Sequence, residues 1–138
     1  MQTWRMHPDG SGSERIPETG YVVLDETDEG RGLLCRNEGK PGIWVISGED
    51  GAARQIVPGK VARTWTDVAA LEQGLYHISQ GNARATLGFY DYATARVDSL
   101  LAFDRFCGSL AVSPDHTRLL YECVNQVEID LMMVDRIP

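Results

Sequence analysis

Long apolar runs, clusters of basic residues and cysteine pairs are absent or scarce in this sequence, and each absence excludes a class of protein. No stretch of roughly 18 or more apolar residues occurs, so we expect no transmembrane helix. The N-terminal segment lacks the basic and apolar parts of a signal peptide, and we expect no unaided membrane insertion. The 13 lysine and arginine residues are scattered along a chain of net charge −7, which argues against nucleic-acid binding by this segment.

Cysteine is too rare here to suggest a disulfide scaffold. The chain has three cysteines, Cys35, Cys107 and Cys123, and their spacing matches no C-x-x-C pattern. Cys35 and Cys123 lie in apolar runs, where cysteine behaves as a small buried apolar residue. We therefore predict that the cysteines are buried free thiols.

Short strands are what the sequence does contain. Its 138 residues are 43% hydrophobic and 24% charged, which suits one soluble globular domain. Short apolar runs rich in β-branched and aromatic residues are bounded by turn-forming clusters, whereas helical periodicity is confined to TDVAALEQG at 66–74, before Gly74 restarts a strand. The predicted strands lie near 3–6, 14–16, 21–25, 32–36, 42–47, 53–57, 62–67, 74–79, 85–92, 96–102, 109–113, 118–123 and 129–135.

The strands recur with a regular spacing. TWRMHPDGSGSERI and IWVISGEDGAARQI each run from a tryptophan strand through an Asp-Gly turn to a second strand, and their tryptophans, Trp4 and Trp44, are 40 residues apart. The runs Leu33-Leu34-Cys35 and Leu119-Leu120-Tyr121 are 86 residues apart, which is twice 43. A period of about 40 to 45 residues that carries four strands is typical of a β-propeller blade.

The segment LAVSPDHTRLLYE predicts a hairpin corner. Pro114 has a fixed φ and no N–H, so it suits the exit of a strand, and Asp115 can accept a bond from the backbone that follows it. The chain then re-enters a strand near Arg118. Ser-Pro-Asp therefore joins two antiparallel strands.

AVSPDHTRLLYE and GIWVISGEDGAARQIV together resemble the repeat of the TolB-like, PD40 group of WD40-like β-propellers. The C-terminal half is similar to the last blades of bacterial propellers that follow a winged-helix regulator or a protein kinase domain. The sequence departs from the repeat at His116, where the family has glycine, and at DETDEGRG (25–32), a degraded Ser-Pro-Asp-Gly. These departures bear on the tightness of the two turns, because glycine readily takes a positive φ.

The resemblance implies an all-β fold, a partial β-propeller of about three four-stranded antiparallel blades. Residues 1–20 would end one blade, 21–60 and 61–104 would each form a blade, and 105–138 would form an incomplete last blade. Thirteen predicted strands do not fill four blades, so we expect either a piece of a larger propeller or self-association that completes it. By resemblance the compartment is the periplasm, with the cytoplasm as the alternative.

Chemistry-bearing residues give no catalytic, cofactor or metal site. Ser113, Asp115 and His116 stand together, but a nucleophile elbow needs G-x-S-x-G on a strand-to-helix turn. His7 and His77 are far from each other and from His116 in the sequence, without the close spacing of metal ligands. We expect a structural corner and non-ligating histidines.

Two further groups have a structural and a functional interpretation. The acidic run Asp25, Glu26, Asp28 and Glu29 suggests calcium, but position twelve from Asp25 is Arg36 instead of a bidentate glutamate, so we predict a solvated turn. An aromatic set serves either to pack blades or to line a binding mouth, and we favour packing. Its members are Trp4, Trp44, Trp65, Tyr76, Phe89 and Tyr90.

The functional prediction is a non-enzymatic interaction module. Propellers present rigid loops on two faces, so a protein, peptide or small-ligand partner is expected, and by resemblance the whole protein would be a sensor or regulator. The alternative is the substrate-gating propeller segment of a prolyl-oligopeptidase-like serine peptidase, with the catalytic domain elsewhere in the natural chain.

Overall fold

A computed structural model of the chain describes residues 3–16, 20–27, 32–59, 67–81 and 84–124. The elements of these residues are β-strands, which confirms the all-β fold class, and no helix among them is long and apolar enough to cross a bilayer. The strands are β1 (Trp4–Arg5), β2 (Glu14–Arg15), β3 (Tyr21–Glu26), β4 (Gly32–Asn37), β5 (Ile43–Ser47), β6 (Ala53–Val57), β7 (Val68–Leu71), β8 (Gly74–Gln80), β9 (Ala85–Asp91), β10 (Arg96–Phe103), β11 (Cys107–Val112) and β12 (Leu119–Cys123).

The strands form four antiparallel sheets, each built from consecutive strands. Sheet 1 is the hairpin β1–β2, sheet 2 contains β3 to β6, sheet 3 contains β7 to β10, and sheet 4 is the hairpin β11–β12. Sheets 2 and 3 therefore have the strand number and order expected of blades. Sheets 1 and 4 have half that number within the described residues.

The sheets are stacked in chain order. The first strand of sheet 3, β7, contacts the first strands of both neighbouring sheets, β3 and β11. Apolar side chains of sheets 2 and 3 form one core, and those of sheets 3 and 4 form a second, so each sheet buries one face against the next. The outward face of sheet 2 carries a third cluster around Tyr21, Cys35 and Ile46, next to sheet 1.

Pairing registers repeat between sheets. In sheet 1, Trp4 faces Arg15, and 40 residues later, in sheet 2, Trp44 faces Gln55. In the hairpin β3–β4 Tyr21 pairs with Asn37, and 86 residues later the hairpin β11–β12 pairs Cys107 with Cys123. Both of these hairpins also contain a one-residue bulge near the same place. Sheet 1 thus corresponds to the last two strands of sheet 2, and sheet 4 to its first two.

The strand predictions agree closely with the structure, with one exception. The segment 66–74, the one place with helical periodicity, contains a strand, because Val68–Leu71 is β7 and pairs with β8. Its Val-Ala-Ala-Leu sequence has no strong strand preference of its own, and pairing with the neighbouring strand decides the outcome. Gly74 does begin a strand. The strand predicted at 62–67 falls mostly outside the described residues, and the one at 129–135 does so entirely.

The Ser-Pro-Asp corner is confirmed as the turn between β11 and β12. The Ser113 backbone N–H donates to the Arg118 carbonyl at 2.9 Å, and the His116 N–H donates to the Ser113 carbonyl at 2.8 Å. Asp115 accepts from the Thr117 N–H, as an aspartate in a turn commonly does. His116 has a φ of 56°, so the turn keeps its positive φ with histidine in place of glycine.

The prediction of free thiols is wrong for two of the three cysteines. Cys107 and Cys123 form a disulfide between directly paired positions of β11 and β12, whereas Cys35 is buried and free. The bond forms because these two residues face each other across the hairpin with their Cα atoms 4.1 Å apart. Burial raises the pKa of the Cys35 thiol to about 12, so this cysteine is not a reactive nucleophile.

Candidate binding surface

Exposed apolar side chains are concentrated in the last part of the described chain. Seven of the nine large apolar residues that are exposed among the described residues lie between positions 97 and 124. They are Val97, Leu100, Leu101, Phe106, Leu120, Tyr121 and Val124. A concentration of this kind marks an interaction surface more often than a neutral one.

Three of these residues occupy the face of sheet 4 that points away from sheet 3. Cys107 and Cys123 belong to the core shared with sheet 3, so the next pair, Phe106 and Val124, points to the opposite side of the hairpin. Leu120 is directed the same way, because the adjacent Leu119 packs in that core. We call Phe106, Leu120 and Val124 the far face.

A comparison with sheet 2 explains why the far face is exposed. Leu120 corresponds to Leu34 at the 86-residue spacing, and Leu34 is fully buried because sheet 3 covers it. Leu120 has the same place in its own sheet but is 67% exposed. The far face therefore has the sequence of a surface that is covered in sheet 2, and lacks a covering sheet among the described residues.

Next to the far face, part of sheet 3 is also left open. The strand β11 packs against β7 and β8, and sheet 4 meets β10 only at its end, at Phe103, whereas the preceding residues of β10 are exposed. At the edge of the area of sheet 3 that sheet 4 covers, the rings of Phe103 and Tyr121 are in contact, with centroids 5.0 Å apart. Leu101 and Tyr121 are each 44% exposed. We call the far face together with Leu101 and Tyr121 the open end.

Strand β12 adds to the open end an edge that has no partner strand among the described residues. In the described residues it pairs only with β11, so its other edge is free to pair with an added strand. An exposed strand edge beside apolar side chains is the arrangement that proteins use to bind an extended segment.

Sheet 4 is held firmly enough to present this edge. The Ser109 N–H, at the bulge of β11, donates to the buried carboxylate of Asp67 at 3.1 Å. The Gln80 side-chain amide donates to the Cys107 carbonyl, which fixes β11 to sheet 3 a second time. These bonds and the disulfide give the hairpin a defined orientation.

At the other end of the stack, a cleft lies between sheet 1 and sheet 2. Its volume is about 450 Å³, and its apolar lining includes Leu33 and Ile46 of sheet 2. Arg5 and Glu14 of sheet 1 line the opposite side and form an exposed ion pair at 2.6 Å. We call this space the hairpin cleft. Sheet 1 has two strands in the described residues, against four in sheet 2.

The two equivalent tryptophans have different environments. Trp44 is partly buried, packs edge-on against Tyr21 with ring centroids 6.0 Å apart, and has the Lys40 ammonium over its ring. Trp4 is 56% exposed. Trp4 is therefore a second apolar side chain whose equivalent in sheet 2 is covered.

The remaining aromatic residues of the predicted set pack between strands and sheets. Tyr76 and Phe89 are cross-strand partners with ring centroids 4.8 Å apart, and Tyr90 is buried in the core between sheets 2 and 3. Trp65 lies outside the described residues. Packing is thus the role of these three residues, while Trp4 alone of the described set is largely exposed.

The corner residues are arranged for structure. The Ser113 hydroxyl donates a hydrogen bond to Asp115 and accepts one from the Arg118 N–H. Both bonds stabilise the turn. The bond from the Ser113 hydroxyl, followed by that from the Thr117 N–H, holds the pKa of Asp115 below its ordinary value. A carboxylate with a lowered pKa is a weak base, so this corner is poorly suited to activate a nucleophile.

Histidines and carboxylates do not assemble into a metal centre within the described residues. His7 and His116 are exposed, whereas His77 is 3% exposed and has no hydrogen-bond partner on either ring nitrogen there. Burial lowers the pKa of His77 to about 4. Its ring lies over Gly88, where a Cβ atom would approach Nε2 to 2.6 Å.

The acidic run has only two members in the described part of the chain. Asp25 and Glu26 end strand β3 with exposed side chains, and Asp28 and Glu29 lie outside the described residues. The calcium interpretation therefore gains no support from the described pair.

Sequence reasoning missed the disulfide, the burial of His77 and the open end. One signal for the open end was available, because Leu120 aligns with Leu34 in the 86-residue repeat and the predicted strands were too few for closed blades.

Comparison of the chain with models of protein families and with functionally characterised proteins finds no match.

Proposed function

We propose that this chain is a non-catalytic binding module, an open row of propeller-type blades that binds a protein or peptide partner at its open end. The observation that carries the proposal is the exposure of the far face, where Leu120 is 67% exposed although its equivalent Leu34 is fully buried. Exposed apolar area of this kind costs solubility, so a surface that retains it has a covered state.

The arrangement of the sheets supports propeller-type blades. The first strands of sheets 2, 3 and 4 are neighbours, each sheet packs its face on the next, and hairpin registers repeat at spacings of 40 and 86 residues. In a propeller every blade has a neighbour on both sides. The exposed far face is then the place where the next blade or an equivalent partner packs.

The chemistry of the open end favours a partner with an extended apolar segment. The free edge of β12 offers backbone donors and acceptors, and Leu120 and Tyr121 on its two faces offer contacts to alternate side chains of an added strand. The Cys107–Cys123 disulfide favours an oxidising compartment for this interaction, since structural disulfides persist mainly there.

Selection from a library of displayed linear peptides tests this role. We expect apolar, strand-forming peptides to be enriched, and Leu120→Asp to weaken their binding by about tenfold or more, because it places a charge in the apolar contact. Binding would be measured by fluorescence anisotropy with a labelled peptide.

The matched control is Met6→Asp, which adds the same charge at an exposed apolar residue outside the open end. It should not weaken peptide binding. Failure to enrich any peptide, or equal losses in the two variants, would contradict the proposal.

A further inference from the structure

Within the described residues, two two-stranded sheets lie at opposite ends of the chain, and they are complementary halves. Sheet 4 corresponds to the first two strands of sheet 2, and sheet 1 corresponds to its last two. We propose that the partner at the open end is a second copy of this chain, whose hairpin β1–β2 adds to the free edge of β12 and completes a four-stranded sheet. This inference rests on the binding role proposed above for the open end.

Sheet 2 supplies the register of the added strand. There, β4 and β5 pair Cys35 with Trp44 and Leu34 with Val45. Strand β12 lies 86 residues after β4, and β1 lies 40 residues before β5. The equivalent pairing therefore sets Tyr121 opposite Trp4 of the second copy, and Leu120 opposite its Arg5. No residue of either hairpin needs to change its own pairing for this to occur.

Side-chain direction agrees with this register. Tyr121 points toward sheet 3, so Trp4 of the second copy, as its direct partner, would point the same way. It would then cover Leu101 and Phe103, where the cover of sheet 3 ends. The exposed tryptophan and the uncovered part of sheet 3 thus fit each other.

Charge also agrees with this register. On the other side of the completed sheet, Glu122 and the Arg5 of the second copy would be diagonal neighbours, within reach of an ion pair. In the free chain Arg5 already pairs with Glu14, so Glu122 would extend an existing pair into a short network. The alternative register, shifted by one residue, would place Trp4 on the wrong face and lose both contacts.

The hairpin cleft then accommodates the far face. Sheet 2 of the second copy follows its sheet 1 in the stack, so it would lie directly over the far face of the first copy. Leu33 and Ile46 in the cleft would meet the exposed Leu120, Phe106 and Val124. Both apolar surfaces left open by two-stranded sheets would be covered in one step.

The number of strands in each copy determines how many four-stranded sheets an assembly of two copies contains. In the described residues, each copy contains two complete four-stranded sheets, and each pair of joined half-sheets would add one shared sheet. Two copies would therefore make six sheets, which lies within the range of about four to eight blades in closed propellers. In a closed dimer both half-sheets of each copy are paired. A head-to-tail contact that did not close in this way would continue into a filament.

Photo-crosslinking from position 121 tests the register. A benzoylphenylalanine replaces Tyr121, and the labelled protein is mixed with an isotope-labelled second copy so that crosslinks between copies are recognised by mass. We expect these crosslinks to map to residues 3–6 of the other copy. Trp4→Asp in the other copy should reduce their yield about tenfold or more, because a central aromatic contact is lost.

Two outcomes would overturn the inference. Crosslinks from position 121 that stay within one copy and map to residues 125–138 would identify that segment as the occupant of the β12 edge. Absence of crosslinks between copies would exclude a second copy there. Peptide binding distinguishes this failure from failure of the proposed function, because Trp4→Asp leaves the open end intact and peptide binding should therefore be retained in this variant, whether or not a second copy binds there.

Discussion

Reduction of the Cys107–Cys123 disulfide lowers the free energy of unfolding by about 3 kcal/mol, the value expected when a bond that closes a loop of this length no longer restricts the unfolded chain. The two cysteines are 16 residues apart, and they join the only two strands of sheet 4 in the described residues. Loss of the bond acts on the same hairpin that presents the open end. Urea unfolding with and without reductant measures the difference.

Two variants isolate the contribution of this bond. Replacing Cys107 and Cys123 together with alanine should remove the response to reductant, whereas Cys35→Ala should retain it, since Cys35 is free and buried in sheet 2. Thiol titration of the unfolded, unreduced protein should give one reactive thiol, and three after reduction. Equal stability of the wild type with and without reductant would refute the assignment.

Acidification between pH 6.5 and 4 should destabilise the protein through His77. Burial lowers the pKa of this histidine from 6.5 to about 4, so the unfolded state binds its proton first as the pH falls. Stability is therefore constant above pH 6.5, falls through this interval, and is about 2 kcal/mol lower at pH 5 and about 3 kcal/mol lower at pH 4. Urea unfolding at fixed pH values measures the curve.

His77→Leu is the control for this effect. It removes the titrating group and places an apolar side chain among the apolar residues that surround position 77, so its stability should change little between pH 8 and 5. The carboxylates with lowered pKa values lose their contribution only below their ordinary value of 3.8, in a separate interval. They are Asp9, Asp50, Asp91, Asp104 and Asp115. An unchanged slope in the variant would refute the role of His77.

The positions of most strands were predictable because they depend on local patterns. Apolar runs bounded by turn residues placed β8 to β10 within one or two residues, and the Ser-Pro-Asp corner fixed the hairpin that follows Val112. The segment Val68–Leu71 was not predictable in this way, because its strand state comes from pairing with β8. Local preference and tertiary pairing both favour a strand in β8 to β10, whereas in Val68–Leu71 only the pairing does.

The disulfide depended on a bulge that leaves no clear mark in the sequence. Counting outward from the pair Val112 and Leu119 without interruption would set Cys107 opposite Val124. The bulge at Ser109 shifts the register by one residue and brings Cys107 opposite Cys123. Ser109 has a φ of 54° and donates its N–H to Asp67, a contact 42 residues away that local patterns do not contain.

The candidate site was hidden for a different reason. Leu120 and Trp4 are apolar residues of the kind that usually pack in a core. Their exposure follows only from the number of strands that their sheets contain in the described residues. His77 likewise has the sequence pattern of an ordinary strand residue, and its burial follows from the contact between sheets 2 and 3. Features that depend on how sheets stack cannot be read from one strand at a time.

Light scattering combined with size-exclusion chromatography tests the central claim, that the two half-sheets of the chain complete each other between copies. We expect a dimer of twice 15.3 kDa that dissociates on dilution, and we expect the Trp4→Asp and Leu120→Asp variants each to be monomeric. Because each copy carries a net charge of −7, added salt should strengthen the dimer by screening repulsion. A mass of 15.3 kDa at every concentration, for a protein that unfolds cooperatively, would contradict the account.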